Sequence, residues 1–128
     1  NENEPQPTGD AVKPNHLDGD AAEVWDRIIA SMPPRLYSKC DETLLAAYCI
    51  AAALHRKACQ HVQAADVVAR SKNGAPYQNP WVGIQNSQAQ LLASLGGRLG
   101  LDPSSRSKLA VPKQTQPSKF EGLIGRDR

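Results

Sequence analysis

Three residues on one stretch, His55, Cys59 and His61, come closest to chemistry by type and spacing in this 128-residue chain. Positions 55 and 59 lie four apart, so a helix puts an imidazole and a thiol on one face, where both could ligate a metal ion. Two ligands do not make a site, and no second Cys/His pair stands elsewhere in the chain. The expectation is therefore no metal, with these side chains serving as small core or polar residues. Cys40, Cys49 and Cys59 are odd in number and follow spacings of nine and ten residues, which match no zinc motif. They read as reduced thiols of a cytosolic protein. No Ser/His/Asp or Cys/His nucleophile arrangement can be assembled, because the histidines are few and the serines fall in caps and turns. There is no phosphate-cradling Gly-x4-Gly-Lys loop, and "GGRLG" at 96–100 follows no strand, so it is not a nucleotide fingerprint. These absences point away from an enzyme and require no cofactor.

Charge is the more informative chemistry. The net charge of +2 conceals an acidic start and a basic end. In residues 1–26 seven carboxylates face the single Lys13, a net −6, and in residues 98–128 seven basic side chains face three acids, a net +4. Arg98, Arg106, Lys108, Lys113 and Lys119 are the candidates for holding a polyanion such as DNA. Contacts between the acidic end of one copy and the basic end of the next are the second reading, and solvated tails the plain one. Arg98 could instead serve its helix dipole, and Arg106 could pair with Asp102 four residues before it. Lys39, Arg56, Lys57, Arg70 and Lys72 stand next in line for anion contact.

The elements that must position these charges are helical. Residues 1–17 are polar and proline-punctuated and read as a flexible acidic arm. A first helix starts near Asp20, with Glu23 three residues on as a capping box, and carries Ala21, Val24, Trp25, Ile28, Ile29 and Met32 on one face until Pro33-Pro34 stops it. Trp25 is a core anchor in this reading. The second helix has a start at Ser38 or at Asp41 and runs to about residue 68, near 45 Å at roughly 1.5 Å per residue. Its stripe is Leu44, Leu45, Tyr48, Ala51, Ala52, His55, Cys59 and Val62. A helix of this length outruns the core of so small a domain. Leu45, Tyr48, Ala52, Leu54 and His55 are then candidates for an interface between copies, the other reading being a two-sided helix inside one bundle. Asn73-Gly74 signals a loop or a very short hairpin near 67–77, with Pro76 against a long second strand. Asn79 caps a third helix with Pro80 in its first position, and Ile84, Gln88, Leu91, Leu92, Leu95 and Leu99 share a face. Gly96-Gly97 loosens its last turns.

The third helix ends at a corner. Gly100 suits the left-handed residue after a helix, Asp102 caps a new one, and Pro103 takes its first position, where no N–H is needed. Beyond it "AVPKQTQPSKFEGLIGRDR" has the composition of a basic tail with Phe120, Leu123 and Ile124 as a short apolar hook. The fold class is thus mainly α, with three helices, a short C-terminal helix and at most a very short hairpin. The organisation is an acidic arm over 1–17, a helical oligomerisation domain over 18–110 and a basic tail over 111–128. No apolar run approaches membrane-spanning length, and the acidic "NENEPQPTGD" has no signal-peptide pattern.

A Trp-bearing helix with an acidic entry, a long helix containing "LLAAYCIAAAL", an Asn-Gly loop, Asn79-Pro80 and a closing "LGLDPSSRSKL" occur here in order. Together they resemble the small terminase subunits of tailed bacteriophages, in the branch marked by Leu-Gly-Leu-x-Pro-x-Ser-Arg, here Leu99, Gly100, Leu101, Pro103, Ser105 and Arg106. The resemblance covers about residues 16–110. It implies a mostly helical, non-catalytic protein of the host bacterial cytoplasm that assembles as a homo-oligomeric ring. It also implies binding of viral double-stranded DNA and its delivery to the large subunit that carries the ATPase and nuclease, with no membrane partner. Many such proteins place a helix-turn-helix domain ahead of the oligomerisation helices, and nothing in residues 1–19 could form one. DNA contact would then come from the helical body or the basic end. The alternative is a structural or regulatory helical module that binds only protein.

Overall fold

In a computed structural model, residues 9–105 are described. Helix α1 (Gly19–Ser31) forms where Ala21, Trp25 and Ile28 recur at helical spacing, and these three are its buried residues. Its expected capping box does not form. The helix begins ahead of Asp20, behind Asp18 in extended backbone with no side-chain cap bond, which leaves Asp20 inside the first turn, where its charge favours the dipole. Ile29, expected on the core face, is 42% exposed, while Val24 and Met32 pack at the core's edge. The Met32 N–H closes the helix on the Ile28 carbonyl, and the chain turns away through Pro33-Pro34 and a left-handed Arg35.

The chain re-enters the core at Tyr37, then makes one 3-10 turn, Lys39–Asp41, before helix α2 (Glu42–Ala65). Both expected starts are used. The Asp41 carboxylate accepts from the Ser38 N–H at 2.8 Å, so Ser38 opens the 3-10 turn and Asp41 stands at the head of the α-helix. At 24 residues α2 is about 36 Å long, shorter than expected, because Asp66 adopts a left-handed conformation that ends it. It packs against both α1 and α3 and so is the middle helix. Its buried residues, Leu45, Ala46, Cys49, Ala51 and Ala58, fall on two faces and not on one stripe. Leu45 and Cys49 have no exposure, and burying a leucine of this kind stabilises by roughly 2–3 kcal/mol.

Strands β1 (Val68–Arg70) and β2 (Pro76–Gln78) form the short hairpin, antiparallel, with Ala69 opposite Tyr77. The turn is not the two-residue Asn-Gly type. Among the described residues from Ser71 to Ala75 only Gly74 has positive φ, the Gly74 N–H bonds to the Ser71 carbonyl, and the Ser71 N–H to that of Ala75. This is a three-residue loop with its glycine in the left-handed place. Pro76 heads β2, a strand position that tolerates the missing N–H.

Helix α3 (Pro80–Arg98) follows directly. Leu95 and Leu99 are buried, Ile84, Gln88 and Leu92 are half-buried, and Leu91 is 42% exposed. Gly96 is buried, and a Cβ there would lie in contact with the Tyr48 ring at 3.4 Å, which marks how closely α3 approaches α2. Residues 9–17, expected as part of a flexible arm, are a strap. Ala11 donates to the Tyr37 carbonyl, Lys39 to that of Gly9, Val12 to the Glu42 carboxylate, and Leu17 is buried in the core cluster. Lys13 adds a 2.8 Å ion pair with Asp26 on α1. Among the described residues no helix is long and apolar enough to cross a membrane.

Candidate functional site

The corner that ends α3 is built from sequence-local rules. Gly100 takes φ +73, the Leu101 N–H bonds back to the Gly96 carbonyl at 2.8 Å, and the Gly100 N–H to that of Gly97 at 3.4 Å. These two bonds make a Schellman motif, and Leu101 packs against the core as its apolar contact. Helical residues resume at 103–105. The Asp102 carboxylate accepts from the Ser105 N–H at 2.6 Å and from the Ser105 hydroxyl at 2.9 Å, the N-cap geometry that Asp102 and Pro103 predict. From outside the corner, the buried Tyr37 hydroxyl donates to the Leu99 carbonyl at 2.6 Å, locking the α3 terminus to the segment before α2. No local motif announces that bond, since it joins residues 62 apart in the chain. Tyr37 is pushed up to about 12 by burial, with the Asp41 carboxylate adding to the shift, so its hydroxyl stays a donor.

Of the residues expected to touch DNA, Arg98 sits exposed in the last turn of α3, where it also complements the helix dipole. Arg106, Lys108, Lys113 and Lys119 lie outside the described residues, as does the suggested pair between Arg106 and Asp102. Three of the next candidates are engaged within the chain. Arg56 stands 3.9 Å from Asp20, Arg70 donates to the Gly74 carbonyl, and the Lys57 ammonium lies 5.8 Å from the Trp81 ring centre.

The expected interface residues divide. Leu45 is fully enclosed within the chain, so it presents nothing to a second copy and serves the core instead. Tyr48, Ala52, Leu54 and His55 are half-buried along α2. His55 and Cys59 do share a face, with Sγ 3.7 Å from the imidazole Nε2. His61 is drawn elsewhere: its ring stacks on Trp81 with centroids 4.2 Å apart and the two planes nearly parallel, at 3°. Among the described residues no group of three or more His, Cys, Asp or Glu side chains is placed to hold a metal. The Cys49 thiol is pushed up to about 11 by burial, with the Asp26 charge adding to it, which keeps it protonated and unreactive at neutral pH.

Asn79 and Pro80 are positioned as expected, and Asn79 does more than cap. Its Oδ1 accepts from the Trp81 N–H at 3.0 Å while its Nδ2 donates to the Asp66 carbonyl at 2.9 Å and its own N–H reaches the Val67 carbonyl at 2.8 Å. One buried residue thus joins the end of α2, the base of the hairpin and the start of α3.

Beside α2 the first turn of α1 leaves an open groove of about 760 Å³. Ala21, Ile50, Ala53 and Leu54 line it together with the charged Asp18, Asp20 and Lys57. The sequence signal for it was the row of small residues in "AAYCIAAAL", whose short side chains leave the surface of the helix shallow.

These features define a helical bundle whose distinctive parts are surfaces and corners: a capped turn that launches a basic segment, and a middle helix with an uncovered side. A family model for the phage terminase small subunit matches residues 21–116, three quarters of the chain, and the chain belongs to that family. No curated protein sequence and no solved structure matches it.

Proposed function

We propose that this chain is a packaging adaptor that binds viral double-stranded DNA as a homo-oligomeric ring and delivers it to the large terminase subunit, the ATPase and nuclease. Membership of the phage terminase small-subunit family carries this reading. The bundle supports it in two places. The partly exposed α2 residues Tyr48, Ala52, Leu54 and His55 offer an apolar, small-residue surface to a neighbouring copy, and closed rings use such heterologous contacts. The capped corner follows Arg98 at the end of α3, and Arg106, Lys108, Lys113 and Lys119 follow the corner in the sequence. A few positive groups per subunit are weak alone, but repeated around a ring they form a belt that holds phosphates.

Binding of this kind is phosphate-directed, so it falls steeply with salt and depends little on base sequence. Changing Arg106, Lys108 and Lys113 together to Ala should weaken DNA binding and flatten the plot of log affinity against log salt by about 0.9 for each phosphate no longer neutralised. The assembly should keep its mass. Mobility shifts over a salt series check both points, and unchanged affinity and slope in the triple variant would remove the C-terminal segment from the DNA site.

A further inference from the structure

The hairpin lacks a partner in its own bundle. Neither strand buries a residue, and a two-stranded hairpin alone in water is marginal unless a further strand or a helix covers it. The register puts Val68, Arg70, Pro76 and Gln78 on one face and Ala69 and Tyr77 on the other. Val68 and Tyr77 are each about half exposed, as is Val67 just before β1, so apolar side chains meet water on both faces. Of the seven large hydrophobic side chains exposed among the described residues, these are three, and a fourth, Ile50, lines the groove between α1 and α2. No hairpin residue lines that groove. One copy thus carries an uncovered apolar projection and an uncovered apolar hollow at separate places.

Charge divides the described chain in the same sense. Residues 9–31, the strap and α1 that border the groove, hold five carboxylates against Lys13 and Arg27, a net −3. Residues 67–101, the hairpin, α3 and its corner, hold Arg70, Lys72 and Arg98 and no carboxylate, a net +3. Arg70 and Lys72 are exposed on the hairpin, where Arg70 spends one of its five N–H donors on the Gly74 carbonyl. A protein surface suits this hairpin better than DNA, because Val67, Val68 and Tyr77 gain nothing from phosphates. Two different patches that complement each other on one chain make a head-to-tail contact, and such contacts close into rings when the rotation allows. We propose that the hairpin of one copy seats in the α1–α2 groove of the next, a contact that rests on the ring reading above and names the elements that make it. Val67, Val68 and Tyr77 supply the apolar surface that covers Ala21, Ile50, Ala53 and Leu54, and Arg70 and Lys72 face the acidic strap and α1. Leu54, already offered to a neighbouring copy, then meets that copy's hairpin.

Complementation in the full chain, read by light scattering, tests this. Val68→Lys with Tyr77→Lys spoils the projection and Ile50→Lys spoils the hollow. All three positions are exposed enough for a lysine to reach water, so each variant should keep its helical circular dichroism and remain a single copy. Mixed one to one, the two variants should form a dimer and nothing larger, since only the intact hairpin of one and the intact groove of the other can meet. A variant that had merely lost its fold would not pair. Arg70→Glu with Lys72→Glu should weaken assembly on the order of tenfold at low salt and less at high salt. Should Ile50→Lys unfold the chain, Ile50→Cys with Val68→Cys over Cys40→Ser and Cys59→Ser should link copies into a ladder on non-reducing gels. Wild-type mass in either lysine variant, or a monomer band alone on those gels, overturns the hairpin contact and leaves the ring standing, whereas a wild type of single-copy mass overturns both. Full assembly with loss of DNA binding in the Arg70→Glu, Lys72→Glu variant assigns the hairpin to DNA and likewise overturns it.

Discussion

Asn79→Ala is the substitution that asks most of the fold from one side chain. The change removes the N-cap bond to the Trp81 N–H at 3.0 Å and the bond to the Asp66 carbonyl at 2.9 Å. Loss of an N-cap costs about 1 kcal/mol, and loss of a further intramolecular hydrogen bond costs another ~1 kcal/mol. The Asp66 carbonyl belongs to an exposed residue and can turn to water, so the larger penalty of a buried orphan does not apply. The sum is about 2 kcal/mol, or a fall in melting temperature on the order of 10 °C for a domain of this size. Asn79→Asp keeps the cap acceptor and adds a charge favoured at a helix N-terminus, but loses the donor to Asp66, so it should cost about half as much. Urea unfolding followed by circular dichroism, at one fixed protein concentration because assembly shifts apparent stability, gives both values. A change under about 0.5 kcal/mol for Asn79→Ala would show that the junction of α2, hairpin and α3 does not rest on this side chain.

At the corner, Gly100→Val should destabilise by about 1–2 kcal/mol, because a β-branched residue is strained at φ +73, and Asp102→Ala by about 1 kcal/mol; wild-type melting in both would refute the corner as built. Gly96→Ala should be neutral or stabilising, since its Cβ meets Tyr48 at an ordinary 3.4 Å and alanine favours helix, whereas Gly96→Leu should overpack the α2–α3 contact by about 1–3 kcal/mol; equal melting of the two would refute the close approach. Cys49 and Tyr37 are neutral when protonated and have folded pKa values raised to about 11 and about 12, so the folded state retains their protons longer than the unfolded chain. Their contribution is fully present at neutral pH and is lost as pH rises from the ordinary 9–10 through those values, so urea midpoints should fall above about pH 9 and Cys49→Ala should blunt the fall.

The corner, the Asn79-Pro80 cap, the short hairpin and the three helices were legible because each follows from residues within a few positions of one another. A glycine with positive φ, an aspartate before Pro103 and Ala21, Trp25 and Ile28 at helical spacing state their roles locally. The reading failed where a second element decides. Leu45 reads as a candidate for an interface between copies, yet it is fully enclosed in the core cluster that also holds Trp25, Tyr37 and Leu99. Residues 9–17 read as arm by composition, yet Leu17 and the bonds to Tyr37 and Lys39 fix them, and no local pattern encodes a partner some 26 residues away. Asp66 ends α2 early because Asn79, thirteen residues on, holds its carbonyl. The proposed basic site was readable only as charge, and four of its five residues lie outside the described part of the chain.

Whether this chain works as a closed ring is decided by its mass in solution. Light scattering on the full chain at micromolar concentration should give one stable particle several times the 13.8 kDa of a single copy, unchanged on dilution. A particle of 13.8 kDa across the same range would contradict ring assembly and the packaging role built on it.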